Sequence, residues 1–113
     1  LVDGDSRSAA ELTPAALQEA GRATVVGERT AGAVLVSQET RLPHGGRLTL
    51  SRADFVTSGG VRLEKRGVTP DYEAAATRED RQAGRDPALQ AAISALAARP
   101  QGETALAGAA PAL

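Results

Sequence analysis

Ser8 and Glu11 stand three residues apart, and His44 and Lys65 are the only histidine and the only lysine in the chain. A hydroxyl in a Ser-x-x-Glu pattern has two possible uses. It can cap the helix that follows, with the glutamate folding back on the serine amide as a capping box. It can also act as a nucleophile, because helix-start amides lack intrahelical acceptors and the amide after the serine can hold an oxyanion. The local pattern leaves both open. Serine chemistry wants an imidazole base. His44, however, lies in Pro43-His44-Gly45-Gly46, which reads as a hairpin tip, and such tips project into solvent. His44 is therefore expected to play no catalytic part. Lys65 reads as an exposed strand-end lysine, since lysines are rarely buried.

Cysteine is absent, which excludes disulfides, thiol nucleophiles and thiolate metal sites. With a single histidine, a His-rich metal site is excluded as well. No cofactor and no metal are expected.

These residues must be positioned by short elements. Leu1-Val2 reads as the end of a buried strand and Asp3 to Arg7 as a polar turn. Ala9, Leu12, Ala16, Leu17 and Ala20 make one face of a 3.6-residue period, which predicts a helix over about 8–20. Pro14 argues for a later start, with Thr13 as cap and Pro14 at the first helical position. Gly21 fits the stop. Strands are expected at 23–26, 33–40, 48–56 and 61–63. The 48–56 strand alternates polar and apolar residues and so should have one wet face. The turn at His44-Gly45-Gly46 should make a hairpin, and Asp71 should bind turn amides beside Pro70. Residues 74–86 read as linker. Asp86-Pro87 starts a last helix running to about Arg99 and stopped by Pro100. The Ala/Gly/Pro-rich stretch after Pro100 is expected to be mobile.

The 42% hydrophobic fraction contains one Phe, one Tyr, no Trp and no Met. Much of it is alanine, which buries little area at roughly 25 cal/mol per Å², so the chain is expected to be part of a larger fold or assembly. The net charge of −1, with basic residues spread along the chain, offers no footprint for nucleic acid. No apolar run reaches the roughly 20 residues of a membrane span, and no signal peptide is visible. The chain opens in mid-pattern at Leu1-Val2-Asp3, as though cut from something longer.

Six pieces in order resemble the tail-specific (C-terminal processing) serine protease family. They are Ser6-Arg7-Ser8-Ala9-Ala10-Glu11, Ala16-Leu17-Gln18, Gly21-Arg22-Ala23, Gly27-Glu28-Arg29-Thr30, Leu42-Pro43-His44-Gly45-Gly46, and Glu64-Lys65-Arg66-Gly67-Val68-Thr69-Pro70-Asp71. The resemblance implies an α/β fold, here a fragment of a crotonase/Clp-protease-like spiral core with short strands and two or three helices. It makes Ser8 the catalytic serine and Ala9 the residue whose N–H helps form the oxyanion hole. Many members pair the serine with a lysine after Gly-Glu-x-Thr. That position is Ala33 here, so the dyad is expected to be absent.

A branch similar to the tricorn protease uses a histidine from upstream and a glutamate in a Glu-x-x-Gly-Val-x-Pro-Asp motif, which Glu64 fits. Glu64 is thus the expected supporting acid, and the base is expected from sequence upstream of this chain. The resemblance implies a polypeptide substrate, a possible homo-oligomer and a periplasmic or extracellular location. The retinoid-binding modules of the same fold look similar and supply the alternative, a non-catalytic ligand-binding or structural module. Residues 1–73 are expected to be the C-terminal part of the catalytic domain, 74–99 a linker and helix, and 100–113 a mobile tail.

Overall fold

The computed structural model describes residues 1–98. In chain order it holds α1 (Ala9–Glu19), β1 (Val26–Gly27), β2 (Val36–Arg41), β3 (Arg47–Ala53), β4 (Tyr72–Glu73), α2 (Arg78–Gln82) and α3 (Pro87–Ala97). The mixture of helices and short strands matches the expected α/β class. The stop at Pro100 and the expected mobile tail, 100–113, lie outside the described residues.

Two small sheets form. β1 and β4 pair in parallel, Val26 with Tyr72 and Gly27 with Glu73, and Val2 bridges Gly27 in parallel on the other side. Three strand segments from distant parts of the sequence thus lie side by side, with Val2 at one edge. The second sheet is the hairpin β2–β3, antiparallel from Val36–Ala53 to Arg41–Arg47, with one irregularity at Val36/Ser37. His44 sits in its turn, as expected. The alternation in β3 predicted one dry face, yet every residue of β2 and β3 is exposed. Leu48 and Leu50 reach solvent because nothing among the described residues covers them.

The core is small, as the alanine-rich composition demands. Val2, Ala15, Val25, Val34, Leu63 and Val68 are buried together, with Leu12, Phe55 and Val61 packed against them. It lies between α1, the parallel strands and the 61–68 segment.

Helix α1 begins at Ala9, not at Pro14. Pro14 is inside the helix and cannot donate to the Ala10 carbonyl; Ala10 is exposed, so that carbonyl remains open to water. The helix ends in a Schellman motif: Gly21 N–H donates to Gln18 O at 2.9 Å and Arg22 N–H to Leu17 O at 2.8 Å. Its last turn is tied down by Glu19, whose carboxylate accepts from Thr57 Oγ1, Ser58 Oγ and Gly59 N–H.

Several expectations need correction. The strand at 23–26 shrinks to Val26–Gly27, and the strand at 61–63 is a single Val56–Arg62 bridge. The strand expected at 33–40 begins at Val36, because residues 31–34 turn toward α1. Asp71 caps no local turn; its carboxylate accepts from Val25 N–H at 2.7 Å and fastens β4 to β1. The expected linker contains α2, started by a capping box in which Thr77 Oγ1 accepts from Asp80 N–H and Asp80 accepts from Thr77 N–H. The Asp86-Pro87 start of α3 is as expected, with Asp86 accepting from Leu89 N–H at 2.9 Å.

Candidate active site

Ser8 sits where a turn meets the mouth of α1. The turn is self-locked: Ser6 Oγ donates to the Asp3 carboxylate at 2.8 Å and accepts from Asp3 N–H at 3.1 Å. The Ser6 hydroxyl, outweighing desolvation with help from the Asp5 and Ser6 amides, holds the Asp3 carboxyl below its ordinary range. Two rungs then fix the backbone on either side of Arg7. Ala31 N–H donates to Ser6 O at 3.1 Å and Ser8 N–H donates to Ala33 O at 3.0 Å.

Between these anchors Ser8 adopts φ 55° and ψ −126°. That is strained ground for a residue with a Cβ, costing of order 1–3 kcal/mol. Its carbonyl accepts from Glu11 N–H and Leu12 N–H and starts the helix. Its hydroxyl makes no capping bond and the residue is exposed. The first helical amide, on Ala9, has no acceptor among the described residues. An exposed hydroxyl and an unused N–H therefore stand side by side at a helix start. Of the two uses the sequence left open, Ser8 Oγ does not take the capping one: strain turns the side chain away from the amides it would have capped.

Glu11 finds its main partners further along the chain. It is wholly buried and reaches the loop after β1. Its Oε1 accepts from Thr30 Oγ1 at 2.5 Å and Gly32 N–H at 2.7 Å, and its Oε2 accepts from Ala33 N–H at 2.8 Å. Thr30 Oγ1 accepts from Val68 N–H at 2.7 Å, so its own proton is directed to Glu11. Burial pushes the Glu11 carboxyl up, but the Thr30 hydroxyl and the amides of Ala33, Gly32 and, least, Ser8 outweigh it and hold the group below the ordinary glutamate range.

The next residue along the same loop reaches Glu64. Val34 N–H donates to Glu64 Oε2 at 3.0 Å. Glu64 is half-buried, and its other oxygen has no protein donor among the described residues. The backbone of 33–34 thus joins Ser8 to Glu64. Ala33, the position where the resemblance implies a lysine in many members, meets Ser8 main chain to main chain, with its methyl exposed. A methyl cannot accept a proton. Lys65 is exposed and turned by a left-handed φ of 59°, its N–H on Gly32 O at 2.7 Å.

Two glycines make these close approaches possible. A Cβ on Gly27 would fall 1.9 Å from Val2 O, and one on Gly67 2.3 Å from Thr30 O. The packing of Gly67 against a chain segment 37 positions away leaves no local signal.

A groove of about 740 Å³ runs along the carboxyl ends of the parallel strands, lined by Asp3, Ser6, Glu28, Ala74, Arg81 and Arg85 among others. Ser6 lines it and Ser8, two residues on, does not. Among the described residues no three His, Cys, Asp or Glu side chains cluster to hold a metal ion, and no helix is long and apolar enough to cross a membrane.

A sequence profile of "Peptidase family S41" matches residues 1–74. The chain is 37% identical over 71 residues to the "Carboxy-terminal-processing protease" of Bartonella bacilliformis, covering 63% of this chain and 16% of the relative. It is 40% identical over 96 residues to "Tricorn protease homolog 1" of Streptomyces coelicolor, covering 82% and 9%. Its fold superposes on the crystal structure of the tricorn protease with a TM-score of 0.72 at 30% identity, over 80% of this chain and 9% of that one. On the photosystem II D1 C-terminal processing protease the TM-score is 0.62 at 32% identity, over 66% and 19%. The chain thus spans less than a fifth of the length of each of these proteins.

Proposed function

As the chain belongs to peptidase family S41, we propose that it carries the nucleophile of a serine peptidase and that Ser8 is that nucleophile. The main support is the strained Ser8 backbone, which turns the hydroxyl outward beside the unused Ala9 N–H. A capping serine has no need of such strain, and strain of this kind persists where a mechanism uses it.

In this mechanism Ser8 Oγ attacks the scissile carbonyl and gives its proton to a base. The carbonyl oxygen becomes an oxyanion held by Ala9 N–H. Collapse expels the amine, which leaves with the proton from the base, and an acyl-Ser8 ester remains. Water then cleaves the ester and restores the hydroxyl. The base is a histidine from a segment outside residues 1–113. Glu64 receives the far N–H of that imidazole on the carboxylate oxygen that Val34 does not occupy, orienting the ring and stabilising its charged form. The Ala33 methyl argues against a lysine base at that position.

The substrate is a polypeptide. Residues 1–73 form the C-terminal part of the catalytic domain, and 74–99 follow it as a connecting segment that contains α2 and α3. A periplasmic or extracellular location and a homo-oligomeric state accompany the family resemblance. A non-catalytic ligand-binding module would have no use for strain at residue 8, where glycine would serve better.

The test is peptide cleavage by the full gene product that contains residues 1–113. Cleavage lost in Ser8→Ala with an unchanged fold is expected, whereas cleavage that survives Ser8→Ala removes Ser8 from the mechanism. The 113-residue chain alone is expected to show no turnover.

A further inference from the structure

We propose that Glu11 is a positioning residue: its buried carboxylate holds the 30–34 loop in the one place that fixes both the backbone of Ser8 and the carboxylate of Glu64. For catalysis the inference rests on Ser8 as nucleophile, but the geometric part stands without it.

The chemistry of the carboxylate's surroundings leads there. A glutamate with no exposure needs a full set of donors, and Glu11 has three, from Thr30 Oγ1, Gly32 N–H and Ala33 N–H. All three come from a single four-residue stretch, 19 to 22 positions further along the chain. That stretch has no regular secondary structure of its own. A loop without a ladder takes its shape from the groups that bind its amides; here Thr30 N–H goes to Val68 O and Ala31 N–H to Ser6 O, and the last two amides, of Gly32 and Ala33, go to Glu11.

The consequences reach the site by two consecutive peptide units. Ala33 gives its N–H to Glu11 and its C=O to the Ser8 N–H. Val34 then gives its N–H to Glu64. Glu11 is also on the first turn of α1, three residues after Ser8, so it clamps the helix start and the loop against each other. If the carboxylate lets go, Ala33 O is free to leave Ser8, and the strained φ of residue 8 loses the contact that enforces it.

A charge is needed, not merely an acceptor. The three donors converge on two oxygens. In Glu11→Gln the amide nitrogen must face a main-chain donor, Gly32 N–H in one orientation or Ala33 N–H in the other, so one bond becomes a clash of hydrogens.

The experiment compares wild type, Glu11→Gln, Thr30→Val and a control, Val25→Ala, in the full gene product. Val25 is in the core and makes no contact with Glu11 in the bonding described above. A fluorophosphonate probe is titrated to separate the maximal rate of labelling from the half-saturating concentration, and thermal melts are recorded. Amide hydrogen exchange is followed at Ser8 and Ala33.

Glu11→Gln is expected to lower the maximal labelling rate roughly tenfold to a hundredfold. The half-saturating concentration should stay within about threefold, and exchange at Ser8 should speed up. Val25→Ala, even if it melts lower, should label like wild type. Should Glu11→Gln fail to fold, Thr30→Val, which removes one donor, should give the same pattern in smaller measure. Glu11 is merely structural if both variants label no more slowly than a control of equal melting temperature, or if Ser8 exchange is unchanged. If wild type itself takes no label, the peptidase reading falls, and Ser8 exchange alone decides the positioning role: protection retained in Glu11→Gln overturns it, and protection lost upholds it.

Discussion

The main-chain N–H of Ser8 donates to the carbonyl of Ala33 across 3.0 Å, joining residues 25 positions apart. That bond, with the Ser6–Ala31 rung beside it, leaves residue 8 no room to relax out of its left-sided conformation. What the site can do follows from this enforced geometry.

Ser8→Gly should stabilise the fold. At φ 55° and ψ −126° a glycine has no Cβ to clash, so relief of about 1 kcal/mol is expected in chemical denaturation. On the proposed mechanism the same variant lacks the nucleophile and should be inert toward a serine probe. A fold less stable than wild type would mean that residue 8 is not strained.

Gly27→Ala and Gly67→Ala should both be costly, about 3 kcal/mol or more. Each new methyl meets a backbone oxygen, Val2 O at 1.9 Å and Thr30 O at 2.3 Å, which cannot swing away as a side-chain tip could. Gly84→Ala serves as the comparison: its φ of 66° gives backbone strain, but no atom lies within 4 Å of the added Cβ. Its loss, read in the same denaturant titration, should be clearly smaller.

Acid should destabilise the protein. Glu11 is held below its ordinary range by Thr30 and the loop amides, which outweigh burial. Glu19 is lowered by Ser58 and Thr57, Asp54 by Arg62, and Asp80 by Thr77 and Arg85. In each case the unfolded chain takes up protons at a higher pH than the folded chain. The stabilisation is therefore fully present above the unfolded carboxyl range and is lost as pH falls through the folded values. Melting temperature should drop between about pH 5 and about pH 3, and in Glu11→Gln the drop should be shallower. A flat profile would contradict the hydrogen-bonded state of these carboxylates.

Much of this was legible where the signal is local. The 3.6-residue period marked α1, Gly21 marked its end, Gly45-Gly46 marked the hairpin turn and Asp86-Pro87 marked α3. Ser8 stood out from its neighbours and from the family resemblance together. What escaped was long-range. Ser-x-x-Glu looks the same whether the glutamate folds back on the serine or crosses to Thr30, and only the tertiary fold decides. Asp71 beside Pro70 looks like a turn acid, but its partner is Val25, 46 positions back. Two-residue strands such as β1 and β4 are too short to show any period. Leu48 and Leu50 alternate as if one face were covered, and alternation cannot say by what.

Glu64 can be examined without disturbing the fold. Glu64→Gln keeps an oxygen for Val34 N–H but removes the charge. Peptide cleavage by the full gene product should fall on the order of tenfold or more, with melting unchanged. Unimpaired cleavage would show that Glu64 supports no imidazole.

The most direct measurement is mass spectrometry of the full gene product after treatment with a fluorophosphonate. A single phosphonyl adduct on Ser8, absent from heat-unfolded protein and from Ser8→Ala, is the predicted result. Folded protein that carries no adduct on Ser8, or carries it on another serine, contradicts the assignment of Ser8 as the nucleophile.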